Sequence, residues 1–188
     1  MSSAPSVHSV QFYDSHEALI SRLCGIASSG LLVGNSILIV ATAQHREQLI
    51  AALYQLDVDV RDYARQGRFI MCDAVELLDE FMVDGSPDPE LFASTVGNLL
   101  NDAKNSARSK DQGLVVFGEM VSVLWDDGNR VGALALEHLW NDLLNQRAFH
   151  LHCAYPRTLF AGDEAGIFNI CESHSHVVGV ITPTATVN

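Results

Sequence analysis

The chain has 188 residues, of which 48% are apolar and 18% charged, and its 23 Asp and Glu outnumber its 11 Lys and Arg. This length and composition are typical of one globular domain and exclude a low-complexity chain. The acidic balance argues against binding to nucleic acid or to an anionic membrane, because both carry negative charge themselves.

The polar start MSSAPSVHS lacks the charged and apolar regions of a signal peptide. No apolar run approaches the roughly 20 residues of a membrane span, so we predict a cytoplasmic protein. We also predict a single domain over residues 1–188, with its core at about 8–181. The four cysteines, in the absence of an export signal, are predicted to be buried thiols rather than disulfides; they are Cys24, Cys72, Cys153 and Cys171.

The first half of the chain alternates predicted strands and helices. VHSVQFY is predicted to be a strand, and residues 14 to about 31 a helix with Asp14 as its N-cap and Glu17 as half of a capping box. SILIVAT is a continuous apolar strand of the kind that parallel sheets bury on both faces, and Thr42 is predicted to cap the helix after it. GRFIMCDA is a third strand, followed by a short helix over 74–83.

The second half repeats this alternation. Pro89 is placed to begin a helix that reaches about residue 107. GLVVFGEM is predicted to be a fourth strand, NRVGALALEHLWNDLLNQ a long helix, and AFHLHCAY a fifth strand that Pro156 ends. A last helix over 165–172 leads to HVVGVI, a predicted edge strand. The alternation predicts a three-layer α/β domain with a mostly parallel sheet.

Ligands of open parallel sheets bind beyond the carboxyl ends of the strands, and this edge supplies the candidate site. Its aromatic and polar side chains are the mixture that a small organic ligand requires. Arg46 is expected to pair with Glu119 or Asp14 when no ligand is bound, whereas Phe12 and Trp140 are expected in the core. The candidate ligand-binding residues are Tyr13, Asp14, His45, Arg46, Glu119, Trp125 and Tyr155.

The turn after the first strand stands where a nucleotide-binding protein keeps its phosphate loop, but it lacks the residues that grip phosphate. The first glycine of the chain is Gly25, and the connection is too short to wrap a triphosphate. Asp14 and Glu17 satisfy the positive end of the helix and would repel a phosphate. In the fourth strand, Gly118 stands where a Walker B aspartate would be, and Glu119 follows it.

Two His-x-His pairs raise the question of a metal: His150 with His152, and His174 with His176. Neither spacing is diagnostic, and alternating histidines on a strand are commonly solvated, so we predict no metal site and no other cofactor. The alternative is a zinc or iron site built from these histidines if the last segment folds over the fifth strand. No G-x-S-x-G elbow occurs and no cysteine promises a low pKa, so we predict no catalytic residue and no enzyme activity.

Seven blocks of the sequence together resemble the MEDS domain, the methanogen and methylotroph sensory domain named from a regulator of dichloromethane dehalogenase. They are VQFYD, ATAQHREQL, GRFIMCDA, MVDGSPD, FGEMV, LEHLWNDL and CAYP, and they run from about His8 to His176. The resemblance implies a RecA-like fold with a degenerate P-loop. VQFYDSHEALI would then take the place of Walker A and VVFGE that of Walker B, while ATAQH would replace the paired catalytic glutamates of active relatives.

The resemblance also implies a sensor of small organic molecules, in a family often joined to DNA-binding or histidine-kinase parts. We therefore predict a non-catalytic sensory domain that acts through a separate signalling partner, such as a histidine kinase or a transcription regulator, and a homodimer is plausible. One alternative is a residual nucleotide-binding protein or weak ATPase that uses Glu119. The other is an interaction scaffold without a small ligand.

Overall fold

The computed structural model describes residues 6–108 and 113–179. Within these residues one sheet contains six parallel strands in the order β3-β2-β6-β7-β1-β8. Its strands are β1 Val7–Tyr13, β2 Ser36–Ala41, β3 Phe69–Asp73, β6 Leu114–Gly118, β7 His150–Pro156 and β8 His176–Val178. A short antiparallel hairpin joins β4 Met82–Val83 to β5 Ser86–Pro87.

Helices cover both faces of the sheet. The first face packs against α1 His16–Leu32, α2 Ala43–Gln55 and α3 Val60–Arg65. The second face packs against α4 Ala74–Asp79, α5 Pro89–Asn105, α6 Met120–Asp126, α7 Arg130–Gln146 and α8 Glu164–Glu172. A 3-10 helix, Arg157–Phe160, connects β7 to α8. The predicted three-layer α/β architecture with a mostly parallel sheet is therefore confirmed.

The buried core accounts for the apolar patterns in the sequence. Every residue of β2 is buried, as its continuous apolar run predicted. Side chains of β1 alternate between the faces, so that Phe12 joins the core beneath α7 while Tyr13 joins the core beneath α1. Trp140 is fully buried and meets Phe92 edge to face at 5.3 Å between ring centroids. The core placement predicted for Phe12 and Trp140 is confirmed.

The N-cap predicted for α1 is wrong by one residue. Ser15, not Asp14, caps this helix, and its Oγ accepts from the backbone N–H of Ala18 at 3.2 Å. Asp14 instead accepts from Arg157 Nε at 2.8 Å. Thr42 stands at the N-cap position of α2 as predicted, but its side chain makes no capping bond.

Several short elements were missed or extended too far by the prediction. The helix predicted to reach Val83 ends at Asp79, because Met82 and Val83 belong to a hairpin whose turn residues, Asp84 and Gly85, have positive φ. The helices α3 and α6 were not predicted, since each has at most seven residues and shows too little periodicity. The predicted edge strand is confirmed for 176–178, and the end of HVVGVI lies outside the described residues.

The cysteines are free thiols, as predicted. Cys24 and Cys153 are buried, whereas Cys72 and Cys171 are only partly so, which corrects the expectation that all four are inside. Among the described helices, none combines the length and the apolar character that crossing a membrane requires.

Candidate functional site at the carboxyl edge of the sheet

The connections of the sheet open crevices at its carboxyl edge. The helices that follow β1 and β2 pack on one face, whereas those that follow β6 and β7 pack on the other. Since β2 neighbours β6 and β1 neighbours β7, the chain diverges on leaving each of these pairs. Such divergence points are where open α/β sheets bind ligands. Polar side chains bridge both crevices.

Glu119 bridges the crevice between β2 and β6. It directly follows β6 and is only 4% exposed. One carboxylate oxygen accepts from the backbone N–H of Thr42 at 2.8 Å, and the other accepts from His45 Nδ1 at 2.6 Å. Hydrogen bonds to an ionised group are stronger than neutral ones. Glu119 thereby holds the end of β2 and the first turn of α2 against the end of β6.

A line of imidazoles leads from Glu119 to the surface. His45 is buried, and its Nε2 lies 2.6 Å from Nδ1 of His16, which is exposed at the start of α1. Nδ1 of His45 donates to Glu119, and one proton between Nε2 of His45 and Nδ1 of His16 joins the two rings. The line joins elements that follow β1, β2 and β6. It is able to pass a proton between the buried carboxylate and the surface, or to hold a polar group of a ligand.

The Tyr13 ring stands beside this line, with its centroid 6.3 Å from the rings of both His16 and His45. Burial, together with the negative charges of Glu119 and Asp126, raises the pKa of Tyr13 well above its usual value. Its hydroxyl therefore stays protonated at neutral pH and can donate a hydrogen bond.

The partner expected for Arg46 is wrong. Arg46 Nη2 forms an ion pair with Asp73 Oδ2 at the end of β3, because Glu119 is engaged by Thr42 and His45. Asp14 is also unavailable to Arg46, because it pairs with Arg157 across the β1–β7 crevice. Three side-chain bridges therefore join neighbouring elements at this edge. The Arg46–Asp73 pair links α2 to β3, Glu119 links the end of β6 to the end of β2, and the Asp14–Arg157 pair links the end of β1 to the end of β7.

Asp73 has a second role as the N-cap of α4, where it accepts from the backbone N–H groups of Val75 and Glu76. Burial acts to raise the pKa of Asp73, but the two backbone hydrogen bonds and the Arg46 guanidinium outweigh it. The pKa of Asp73 is consequently lower than usual, and the carboxylate is ionised at neutral pH.

A surface cleft of about 590 Å³ adjoins the Arg46–Asp73 pair. Four carboxylates line it against one guanidinium, so it disfavours an anionic ligand. The acidic residues that line it are Asp73, Glu76, Glu80 and Asp102, and the basic one is Arg46.

Two predicted site residues lie in the core instead of on the accessible edge. Trp125 is 4% exposed and packs with Phe160 at 5.0 Å between ring centroids. Tyr155 is fully buried, and its hydroxyl donates to Glu137 Oε1 at 2.8 Å. They form the apolar floor beneath the loops that follow β6 and β7.

The four histidines of the His-x-His pairs are not brought together. His150 and His176 are exposed. His152 is buried between Ser9 and Gln11, and burial lowers its pKa to about 4. The segment that carries His174 pairs with β1 through β8.

His174 lies instead in a second buried polar cluster, with His8, Glu137 and Cys153. Sequence reasoning missed three of these residues and also missed His16 and Arg157 at the carboxyl edge. Glu137 was detectable, since it lies on the same helical stripe as Ala133 and Trp140, where a charged residue is unusual. His16 was detectable because it follows the first predicted strand by three residues.

The fold and this edge define a class of protein: a three-layer α/β domain whose strand ends are joined by side-chain bridges. A family model described as the methanogen/methylotroph, DcmR sensory domain matches residues 7–175. The chain therefore belongs to the MEDS family, a family of sensory domains. The predicted family is confirmed, whereas the RecA-like kinship with a degenerate P-loop stays a prediction. No curated protein matches the chain.

A solved structure shares the fold. It is the crystal structure of an uncharacterized protein, PH0321 from Pyrococcus horikoshii, in complex with an unknown peptide. The TM-score is 0.66 at 13% sequence identity, and the match covers 94% of this chain and 77% of that one. A likeness at this identity establishes the fold and nothing further.

Proposed function

We propose that the chain is a non-catalytic sensory domain that binds a small organic ligand at the carboxyl edge of its sheet and signals to a separate partner protein. The observation that carries the proposal is the Glu119–His45–His16 line. It connects a buried carboxylate to an exposed imidazole and ties together elements from three strands. Membership of a sensory-domain family supports it.

The expected mechanism is a shift between two arrangements of the loops after β1, β2 and β6. A ligand that hydrogen-bonds His16, or that competes for Arg46, favours the arrangement in which those contacts are best made. Because Glu119 holds two loops at once, a change at one of them is passed to the other. A partner that contacts this edge reads the result.

The charges of the edge favour a neutral or cationic ligand. The charged side chains that line the cleft beside Arg46 are mainly carboxylates, and Glu17 adds another at the start of α1. Hydrogen bonds from its own backbone N–H and from Ser15 lower the pKa of Glu17, so it is ionised there. These charges oppose a nucleotide triphosphate, and titration calorimetry with Mg-ATP separates the sensor from the nucleotide-binding alternative. Micromolar binding would favour the latter.

A second candidate is a scaffold whose carboxyl edge binds a peptide or a partner protein without a small ligand. The PH0321 structure, which contains an unknown peptide, supports testing this candidate, because the two proteins share their fold. The partner would be a signalling protein such as a histidine kinase or a transcription regulator, or a second copy of the chain.

A thermal-shift screen tests the proposal. The purified chain is heated with a library of neutral, cationic and anionic organic molecules, and the sensor predicts a raised Tm for a neutral or cationic member. Each hit is repeated with His16→Gln and Arg46→Ala, which should lose the shift. His150→Gln is the matched control, because His150 is also exposed but lies at the amino end of β7. Hits unaffected by both site variants would reject the proposed location.

A further inference from the structure

The second polar cluster lies on the opposite face of the sheet from α1. Its members come from β1, α7, β7 and the segment after α8: His8, Glu137, Cys153 and His174. One donor atom from each lies within 4.8 Å of the others. The side chains of His8, Glu137 and His174 are at most 3% exposed, and Cys153 is fully buried. Polar groups this deep require partners, because burial without them is costly.

Asn141 determines which ring nitrogen of His8 carries a proton. Its Nδ2 donates to the Ser173 carbonyl at 2.9 Å, so its Oδ1 is the atom that lies 2.8 Å from His8 Nδ1. Since Oδ1 can only accept, His8 Nδ1 is the donor. Nε2 of a neutral His8 therefore directs a lone pair into the cluster, 3.3 Å from Glu137 Oε2 and 3.4 Å from Cys153 Sγ.

His174 is oriented in the same way. Its Nδ1 lies 2.6 Å from the Ile170 carbonyl and must donate to it. Its Nε2 lies 3.5 Å from Glu137 Oε1 and has no hydrogen-bond partner among the described residues. The His8 and His174 rings lie 3.9 Å apart between centroids. Two imidazole lone pairs thus converge on one carboxylate.

With both imidazoles neutral, this arrangement lacks a positive centre. Lone pairs that face a carboxylate repel it, whereas a cation between them would bind all three groups. Metal-binding histidines commonly donate their other ring N–H to a carbonyl or another acceptor, as both do here. For a tetrahedral ion with bonds of about 2.0–2.3 Å, the donor atoms stand roughly 3.3–3.7 Å apart. His8 Nε2 lies at such distances from Glu137 Oε2, 3.3 Å, and from Cys153 Sγ, 3.4 Å, whereas Cys153 Sγ and Glu137 Oε2 are slightly farther apart at 3.9 Å. His174 Nε2 lies 3.5 Å from the other carboxylate oxygen, Oε1, and the four donor atoms all lie within 4.8 Å of one another.

We propose that His8, Glu137, Cys153 and His174 bind a divalent metal ion of the zinc class. Two imidazoles, a carboxylate and a thiolate suit a borderline-soft ion and complete four-coordination, so the site is structural rather than catalytic. Burial and the Glu137 charge raise the pKa of Cys153. Metal binding therefore displaces the thiol proton to solvent. Tyr155 then orients the carboxylate through its bond to Oε1.

A bound metal ion would attach the segment after α8 to the rest of the fold. Ser175 already bonds to the backbone of His8 through both its N–H and its hydroxyl, which places β8 beside β1. A metal held by His174 would tie the same segment to α7 and β7. Loss of the ion is expected to loosen α8 and β8 before the rest of the sheet. The metal site lies on the side of the sheet that α7 covers, and it does not depend on the ligand proposed at the carboxyl edge.

The test uses the full chain, treated with a chelator and then given Zn²⁺ or Co²⁺. Mass spectrometry of the eluted metal should find about one ion per chain, and Zn²⁺ should raise the Tm. Co²⁺ should give the strong visible absorption bands of a tetrahedral site together with a thiolate charge-transfer band. Cys153→Ser should lose that thiolate band. Cys24→Ser, a buried cysteine on the other face, should keep it.

The outcomes separate the metal site from a buried ion pair. If neither ion binds and the Tm is unchanged, the cluster is held by its hydrogen bonds and ion pairs alone and the proposal is rejected. Metal that binds without a thiolate band, or whose band survives in Cys153→Ser, also rejects it. If Cys153→Ser does not fold, the wild-type chain still decides the matter through its metal content and its Co²⁺ spectrum.

Discussion

Replacing Glu119 by alanine is predicted to destabilise the fold substantially. The change strands two donors, the buried Nδ1 of His45 and the half-buried N–H of Thr42. A stranded buried donor costs about 1–3 kcal/mol. Water can reach Thr42 in part, so the free energy of unfolding should fall by about 2–4 kcal/mol. For a chain of this length that corresponds to a Tm decrease of roughly 4–16 °C.

The assay is urea unfolding at neutral pH, followed by circular dichroism and checked by calorimetry. Glu119→Gln should lose about half as much free energy, because an amide oxygen still accepts from one donor while its uncharged bond is weaker. Glu47→Ala is the control, since it removes the same charge from an exposed position on α2. A Glu119→Ala protein within about 0.5 kcal/mol of wild type would refute the bridging role.

Three further outcomes are expected. Because the pKa of folded Asp73 is lowered, its carboxylate stabilises the fold above the unfolded pKa of about 3.9, and this contribution disappears as the pH falls through the folded value. Asp73→Asn, which keeps an N-cap, should therefore be less stable than wild type at neutral pH and converge with it in acid; a gap independent of pH in urea titrations would contradict this. Ser15→Ala should lower the free energy of unfolding by about 1 kcal/mol, because the helix loses its N-cap. Asp14→Ala should lower it by less than about 0.5 kcal/mol, because the Asp14–Arg157 ion pair is exposed. A larger loss for Asp14→Ala than for Ser15→Ala would show that Asp14 is the N-cap. Trp140→Ala should cost about 3–5 kcal/mol in the same assay, and a loss below about 1 kcal/mol would show that its site is not tightly packed.

Much of the fold was predictable because its causes are local. The apolar run of β2 specifies a strand buried on both faces, and the helical spacing around Trp140 specifies a buried stripe. Pro89 begins α5 as expected, and Asp88 is the N-cap of this helix. The short elements α3 and α6 escaped prediction, since six or seven residues do not establish a period against their neighbours.

Several side chains were placed correctly at the carboxyl edge, but their pairings were not predicted. Parallel strands bring their carboxyl ends to one edge whatever their order, so Arg46, Glu119 and Asp14 could be assigned to that edge from the sequence. The order β3-β2-β6-β7-β1-β8 decides which of them meet. It gives Asp73 to Arg46 and Arg157 to Asp14, which overturned the expected partners.

The sequence by itself determined the alternation of strands and helices, the short acidic corner after β1 and the membership of a sensory family, since each is written in neighbouring residues or in ordered blocks. Only the tertiary structure decided that His45 meets Glu119, 74 positions away, and that His8 faces Cys153, 145 positions away. The physical reason is that hydrophobic periodicity reports which face a residue takes, whereas a polar contact also requires strand order and register. Those depend on how the whole sheet assembles.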